Sequence, residues 1–355
     1  MNISTDERHI TPDFKKSFGG YEWWYFDGLS ADGNFGYVII FYEHNPFSTR
    51  YINDLEAEKA LQDAYPAISV SLYKNGKTIY YSFLEFDEGE FSWDNNKPEL
   101  KVGNDTVQYS GKGNEFEFNI KLDQKLASGH SIKGEIKGQG NRTKPDLITS
   151  ESTDRHIWNL IQPRTDVSVF FDVDGIHGEE EFRFEGSGYH DHNTGHEPMK
   201  ESFRDWYWGR YHFEDFTFVY YLMQKHEQTQ FEGWMIDRAN QKVMEHFKEA
   251  DLDYFTRNWF GLNSARKIDL KAGQVSVNIQ CKSKIDDGPF YQRFLGNSII
   301  KYNSQVHAAH GISEFIYPEN IYSRVYWPLV HMRLRYMDEQ PHWVQKSRLM
   351  YPWTW

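Results

Sequence analysis

Strict two-residue alternation of polar and apolar side chains is the strongest constraint this chain places on its own fold. Glu115-Phe116-Glu117-Phe118-Asn119-Ile120-Lys121-Leu122 puts its apolar residues on one face of an extended segment, the pattern of a half-buried antiparallel strand. Residues 131–136 read as its partner. Residues 67–73 alternate in the same way, Asn75-Gly76 supplies a type I′ turn, and 78–83 resume the strand, so this stretch is a hairpin. Further strands are expected at 167–172, 181–185, 216–224, 230–237 (followed by a turn at 238–240) and 275–280. Helical spacing is scarce. A short helix is expected at 54–64, and the polar, turn-rich stretch 139–154 reads as a loop. The fold class is all-β.

A short internal repeat sets the organisation. Trp24-Tyr25 precedes an apolar strand at 36–42, and laying Trp24 on Trp206 places Trp206-Tyr207 before another at 218–224 without a gap. Two β-barrels of ordinary single-domain length are expected, the first at residues 1–203 and the second at 204–355.

Charge and composition narrow the function classes. The chain carries 39 Lys+Arg against 52 Asp+Glu, a formal net charge of −13, which argues against nucleic acid or an anionic membrane surface as main partner. One cysteine, Cys281, excludes an intramolecular disulfide and a CxxC zinc site. The longest apolar runs, 37–42 and 218–223, have strand length and no integral membrane segment is expected. The first residues, MNISTDERHITPDFKK, lack the apolar core of a signal peptide, so a cytoplasmic location is expected. Phe, Trp and Tyr together make up 17 % of the residues, more than strand preference needs; such rings also wall apolar pockets.

The densest polar cluster is Tyr189-His190-Asp191-His192-Asn193, flanked by Gly188 and Gly195 and closed by Glu197-Pro198. In an extended segment His190 and His192 share one face while Asp191 and Asn193 share the other, so one pair is expected to point into a cavity. Three readings compete. The first is a polar turn satisfied by loop backbone. The second is a metal site, since His190-x-His192-x4-Glu197 has the spacing of a first cupin motif. The glycines around that motif are missing and no second histidine motif follows, so no metal is assigned. The third is a metal-free acid/base site, with histidine and a carboxyl suited to proton transfer. Aromatic surroundings support it: Trp23, Trp24 and Tyr25 open the first half, and Trp206, Tyr207 and Trp208 the second. An acid desolvated among such rings stays protonated and can donate. Glu22, set between large rings, needs a partner or a function, which Arg210 or one of the histidines could supply.

These segments are familiar as a set. Tyr21-Glu22-Trp23-Trp24-Tyr25-Phe26 resembles the E-W-W-Y motif of the carotenoid 1,2-hydratase (hydroxyneurosporene synthase)-like family. Gly188-Tyr189-His190-Asp191-His192-Asn193-Thr194-Gly195 resembles its Y-x-D-H-N-W-G segment, with Thr194 in place of the usual Trp, a departure that bears on pocket shape. Trp206-Tyr207-Trp208-Gly209-Arg210 is similar to the following W-x-W-G-R, and residues 311–318, 327–329 and 333–335 to the family's C-terminal end. The resemblance implies two lipocalin-like antiparallel β-barrels in tandem with few short helices. It implies no redox cofactor and an apolar polyene or isoprenoid-type small molecule bound near the junction of the barrels. The chemistry it implies is alkene hydration or, as in fungal relatives, intramolecular Diels–Alder cyclisation. Asp191 is the expected acid, His190 or His192 the base or orienting partner, and Asn193 a hydrogen-bond donor, with Glu22 beside them. Trp23, Trp24, Tyr25, Tyr189, Trp206, Tyr207, Trp208 and Arg210 are the expected substrate-binding residues. A non-catalytic carrier of an apolar ligand is the alternative from another class, and the acid cluster is what separates the two.

Overall fold

Asn75 and Gly76 both take positive φ, 52° and 73°, as a type I′ turn requires, and they join strands Ala67–Lys74 and Lys77–Glu85. This computed structural model describes residues 1–355 except 6–9, 14–16, 59–64, 146, 149–154 and 226–227. Strand Glu115–Lys125 pairs with Ser131–Asn141, as the alternation requires. The strands expected at 167–172 and 181–185 are parts of two much longer ones, His156–Gly175 and Gly178–Gly195. The glycine- and histidine-rich stretch therefore stays extended, held on both sides by strand pairing to residues 156–168 and to Tyr21–Ser30. The expected helix starts earlier, because Ser48 caps it: its Oγ accepts from the backbone N–H of Arg50 and Tyr51, and the helix runs Thr49–Glu56. Residues 59–64 of that expectation, and 146 and 149–154 of the expected loop, lie outside the described residues.

Among the described residues, thirteen strands form one sheet and nine the other. Both are curled and almost wholly antiparallel, in a tandem lipocalin-like all-β fold. Each sheet wraps its own core, the first around Trp24, Phe26, Ile39, Phe118 and Phe171, the second around Tyr207, Phe218, Tyr220, Ile268 and Ile279. A third apolar cluster, including Trp23, Tyr25, Trp158, Trp206, Trp208 and Tyr221, lies between the sheets and is built from the residues that alternate with those cores. Among the described residues no helix is long and apolar enough to cross a membrane.

The internal repeat is a repeated hairpin, with one correction. Strands Tyr21–Ser30 and Phe35–His44 pair as Trp24 with Phe41; strands Asp205–His212 and Phe216–Gln224 pair as Trp206 with Met223. Yet Trp24 faces the first core, whereas Trp206 faces the junction. Moving the first strand one residue further and the second one residue less keeps every pairing and matches the faces as well. Trp23, Tyr25 and Asp27 then correspond to Trp206, Trp208 and Arg210. A one-residue offset exchanges the faces of a strand, and sequence likeness alone did not detect it.

The C-terminal tail corrects the expected second unit. After strand Gln305–Ile316 the chain leaves the second sheet through short helices Glu319–Tyr322 and Trp327–Arg333. Arg335 and Tyr336 then pair in parallel with Leu84 and Glu85, and Val344 and Tyr351 join the core of the first sheet. An edge strand with open hydrogen-bonding groups gains cover this way.

Candidate active site

The junction encloses a cleft of about 870 Å³ including its mouth. Trp23, Tyr25, Asp191 and Asn193 reach it from the first sheet, and Trp206, Trp208, Tyr221, Arg293 and Glu314 from the second. Val330, Arg333 and Leu334 reach it from the tail, beside Phe47 and Phe290.

Asp191 is the centre of one wall. Its Oδ2 accepts from Trp158 Nε1 (2.8 Å) and the Tyr189 hydroxyl (2.7 Å), and its Oδ1 accepts from Asn193 Nδ2 (2.9 Å). All three donors are neutral. Burial pushes the carboxyl up to about 8, with the hydrogen bonds from Tyr189 and Trp158 acting the other way and the charge of Glu314 adding to the rise. Asp191 is thus a carboxylic acid at neutral pH. Rings surround it: Tyr189 lies 5.1 Å from Trp208, and Trp158 lies 5.6 Å from both Tyr221 and Trp234, centroid to centroid. Four buried polar atoms of the cleft residues, Trp208 Nε1, Asn193 Oδ1, the Tyr291 hydroxyl and Arg333 Nε, have no hydrogen-bond partner among the described residues.

The opposite wall carries charge. Arg293 Nε donates to Glu314 Oε1 (2.7 Å), the Tyr25 hydroxyl donates to the same oxygen (2.8 Å), and Arg293 Nη1 donates to the Tyr73 hydroxyl (2.6 Å). Near the tail, Arg333 Nη2 donates to Asp286 Oδ1 (2.7 Å) and its guanidinium lies over the Tyr81 ring.

Alternation sends the other expected residues elsewhere. His190 and His192 face the first core, with Thr194 on the same side, so the sheet itself separates them from the cleft. His190 stacks on Phe26 at 4.0 Å and its Nδ1 donates to the Tyr25 carbonyl (3.0 Å); burial drives its ring down to about 3, so it is neutral. His192 Nε2 pairs with Glu22 (2.8 Å) and the ring stacks on Trp24 at 4.7 Å. Glu22 also accepts from the Asp13 backbone N–H (3.0 Å). Glu22, Trp24, His190 and His192 therefore form a buried group inside the first barrel, and the expectation that they act at the cleft is corrected. Thr194 accordingly does not shape the cleft wall. Glu197 accepts from Ser202, away from both histidines, so the cupin-like triad is not assembled. Among the described residues no group of three His, Cys, Asp or Glu side chains comes together to hold a metal ion. Tyr207 points into the second core, its hydroxyl accepting from the Ala265 backbone N–H (3.0 Å). Arg210 stays at the junction but pairs with Asp27 rather than Glu22: Nε donates to Asp27 Oδ1 at 2.7 Å, and both residues are buried. Burial raises Asp27 even against that partner.

Trp158, Arg293, Glu314, Asp286 and Arg333 were not assigned roles from sequence. Glu314 within Ile312-Ser313-Glu314-Phe315-Ile316, and Arg293 within Tyr291-Gln292-Arg293-Phe294-Leu295, carry the signal that singled out Glu22: a lone charge in an apolar strand.

Fold and site define a tandem lipocalin-like protein with a buried acid in an aromatic cleft between its two barrels. The family model for the carotenoid hydratase CrtC matches residues 55–340, and the chain belongs to that family. A hydroxyneurosporene dehydrogenase of Chlorobaculum tepidum is 27 % identical over 346 residues, covering 92 % of this chain and 90 % of that one. An acyclic carotenoid 1,2-hydratase of Rubrivivax gelatinosus is 26 % identical over 195 residues, 54 % of this chain and 45 % of the hydratase. Among solved structures, CghA with Sch210972 superposes with a TM-score of 0.61 at 8 % identity, covering 84 % of this chain and 88 % of CghA. A candidate AttH from Nitrosomonas europaea gives 0.61 at 13 %, covering 88 % and 96 %. At these identities the structural likenesses speak for the fold alone.

Proposed function

We propose that this protein is a hydratase of an acyclic, polyene-type isoprenoid, an acyclic carotenoid in the first instance, with Asp191 as proton donor. The observation that carries the reading is Asp191 itself: a carboxyl held protonated at neutral pH in the wall of an aromatic cleft. Transfer of its proton to an alkene leaves a tertiary cation. The faces of Trp23, Trp206 and Trp208 can each stabilise that cation by about 0.5–2 kcal/mol. Trp158 and Tyr189 then stabilise the Asp191 carboxylate left behind, because each donates to it. Trp208 Nε1 and Asn193 Oδ1 are positioned to bind water or a polar end of the substrate. Capture of the cation by an internal double bond would instead close a ring. The charged Arg293–Glu314 wall favours water.

A carrier has no use for a protonated acid, which gives the test. Asp191→Asn is expected to abolish turnover of an acyclic carotenoid while leaving its binding, read by quenching of Trp fluorescence, within a few-fold of wild type. Surviving turnover would rule out Asp191 as donor, and binding without turnover in the wild type would favour the carrier.

A further inference from the structure

The cleft holds a second carboxyl group at the position equivalent to Asp191. Asp191 pairs across the strands with Tyr25, and Glu314 pairs with Trp208. Tyr25 and Trp208 are corresponding positions of the repeated hairpin, so the two acids stand at corresponding positions of the two barrels, facing one cleft. Their surroundings differ. Neutral donors surround Asp191, whereas Glu314 is the anionic partner of Arg293, with Tyr25 as a further donor. Both of those bonds fall on Oε1; Oε2 takes neither. Two carboxyl groups in one site with opposed environments divide into acid and base.

We propose that Glu314 is the second catalytic carboxylate, the base that takes a proton from the water adding to the substrate. The inference rests on the hydratase reading. In the first step the Asp191 O–H bond breaks, the alkene π pair forms a C–H bond, and the neighbouring carbon becomes the cation. In the second, a lone pair on water forms the C–O bond while one water O–H bond breaks and its proton passes to Glu314. Asp191 ends ionised and Glu314 protonated, and the proton returns through solvent as the alcohol leaves. Arg293 is a positioning residue, orienting Glu314 from its own anchor on Tyr73.

The test follows wild type, Asp191→Asn and Glu314→Gln with an acyclic carotenoid in D2O, reading both the alcohol formed and the deuterium in recovered substrate. Glu314→Gln leaves Arg293 buried without its anion, so Glu314→Gln/Arg293→Met is run beside it, with folding checked by near-ultraviolet circular dichroism. In the Glu314 variants alcohol is expected to fall at least about 100-fold, the lower end of what a positioned base contributes. Deuterium is expected still to enter recovered substrate, because Asp191 forms the cation and takes a proton back. A structural role for Glu314 alone would lower both readouts in equal proportion in folded variants; that result, or hydration retained within ten-fold, overturns the assignment of Glu314. Failure of the wild type to hydrate or exchange, or exchange undiminished in Asp191→Asn, overturns the hydratase reading instead.

Discussion

Replacing Asp191 by Asn removes an acid that folding obliges to stay protonated, and the effect on stability has a defined size and sign. The carboxyl moves from an ordinary value of 3.8 to about 8 on burial. Because the folded value is raised, the side chain contributes its full stability below pH 3.8 and loses it as pH rises toward 8. Within that window each pH unit costs about 1.4 kcal/mol. Between pH 5 and pH 7 the wild type therefore loses about 3 kcal/mol that Asp191→Asn does not. For a chain of 355 residues that is about 4 °C in melting temperature, given roughly 2 cal/mol/K of unfolding entropy per residue. The variant keeps two of the three contacts as they stand, its amide oxygen accepting from Trp158 and Tyr189. Its N–H₂ takes the place of the oxygen that accepts from Asn193 Nδ2, so the Asn193 amide has to turn over and present Oδ1, unpartnered in the wild type, as the acceptor. Differential scanning calorimetry of both proteins at pH 5, 6 and 7 is the assay. The gap between them is expected to widen steadily in favour of the variant. A gap independent of pH would refute the claim that Asp191 is protonated, and with it the assignment of the proton donor.

Three further outcomes are expected. Turnover depends on the acid form of Asp191, so it should be level at neutral pH and fall about ten-fold per unit above pH 8, measured as kcat across pH 6–10. Asp27→Asn leaves Arg210 buried without its anion and should lower stability by about 3–5 kcal/mol in a urea titration, whereas Asp27→Leu/Arg210→Met should recover most of it. His190→Gln should lower stability through loss of the stack on Phe26, yet leave kcat/KM within a few-fold and its pH profile unmoved. A shifted profile would return His190 to the reaction.

The β class, the hairpins and the identity of the polar cluster were legible because each is local: alternation, Asn75-Gly76 and Tyr189–Asn193 declare themselves within a few residues. Which face of the cluster meets the cleft was not. Period-two geometry makes His190/His192 and Asp191/Asn193 equally eligible, and only the placement of the second barrel against one side of the sheet decides between them. The same geometry explains why Trp24 and Tyr207, adjacent to cleft residues in sequence, lie inside barrels. It also explains why Glu22 meets His192 while Asp27, on the other face, meets Arg210. Trp158 meets Asp191 from the strand paired beside the cluster, whereas Arg293 and Glu314 arrive from the second sheet, so their part in the cleft emerges only from the packing of one sheet on the other.

The account stands on a proton delivered to an alkene and a water captured in its place. A single reaction of the purified protein with an acyclic carotenoid in heavy-oxygen D2O reads both. The product should have gained one water, with one deuteron on carbon and the labelled oxygen on the adjacent tertiary carbon. A product of unchanged mass and no label would contradict the account and point to ring closure without proton transfer.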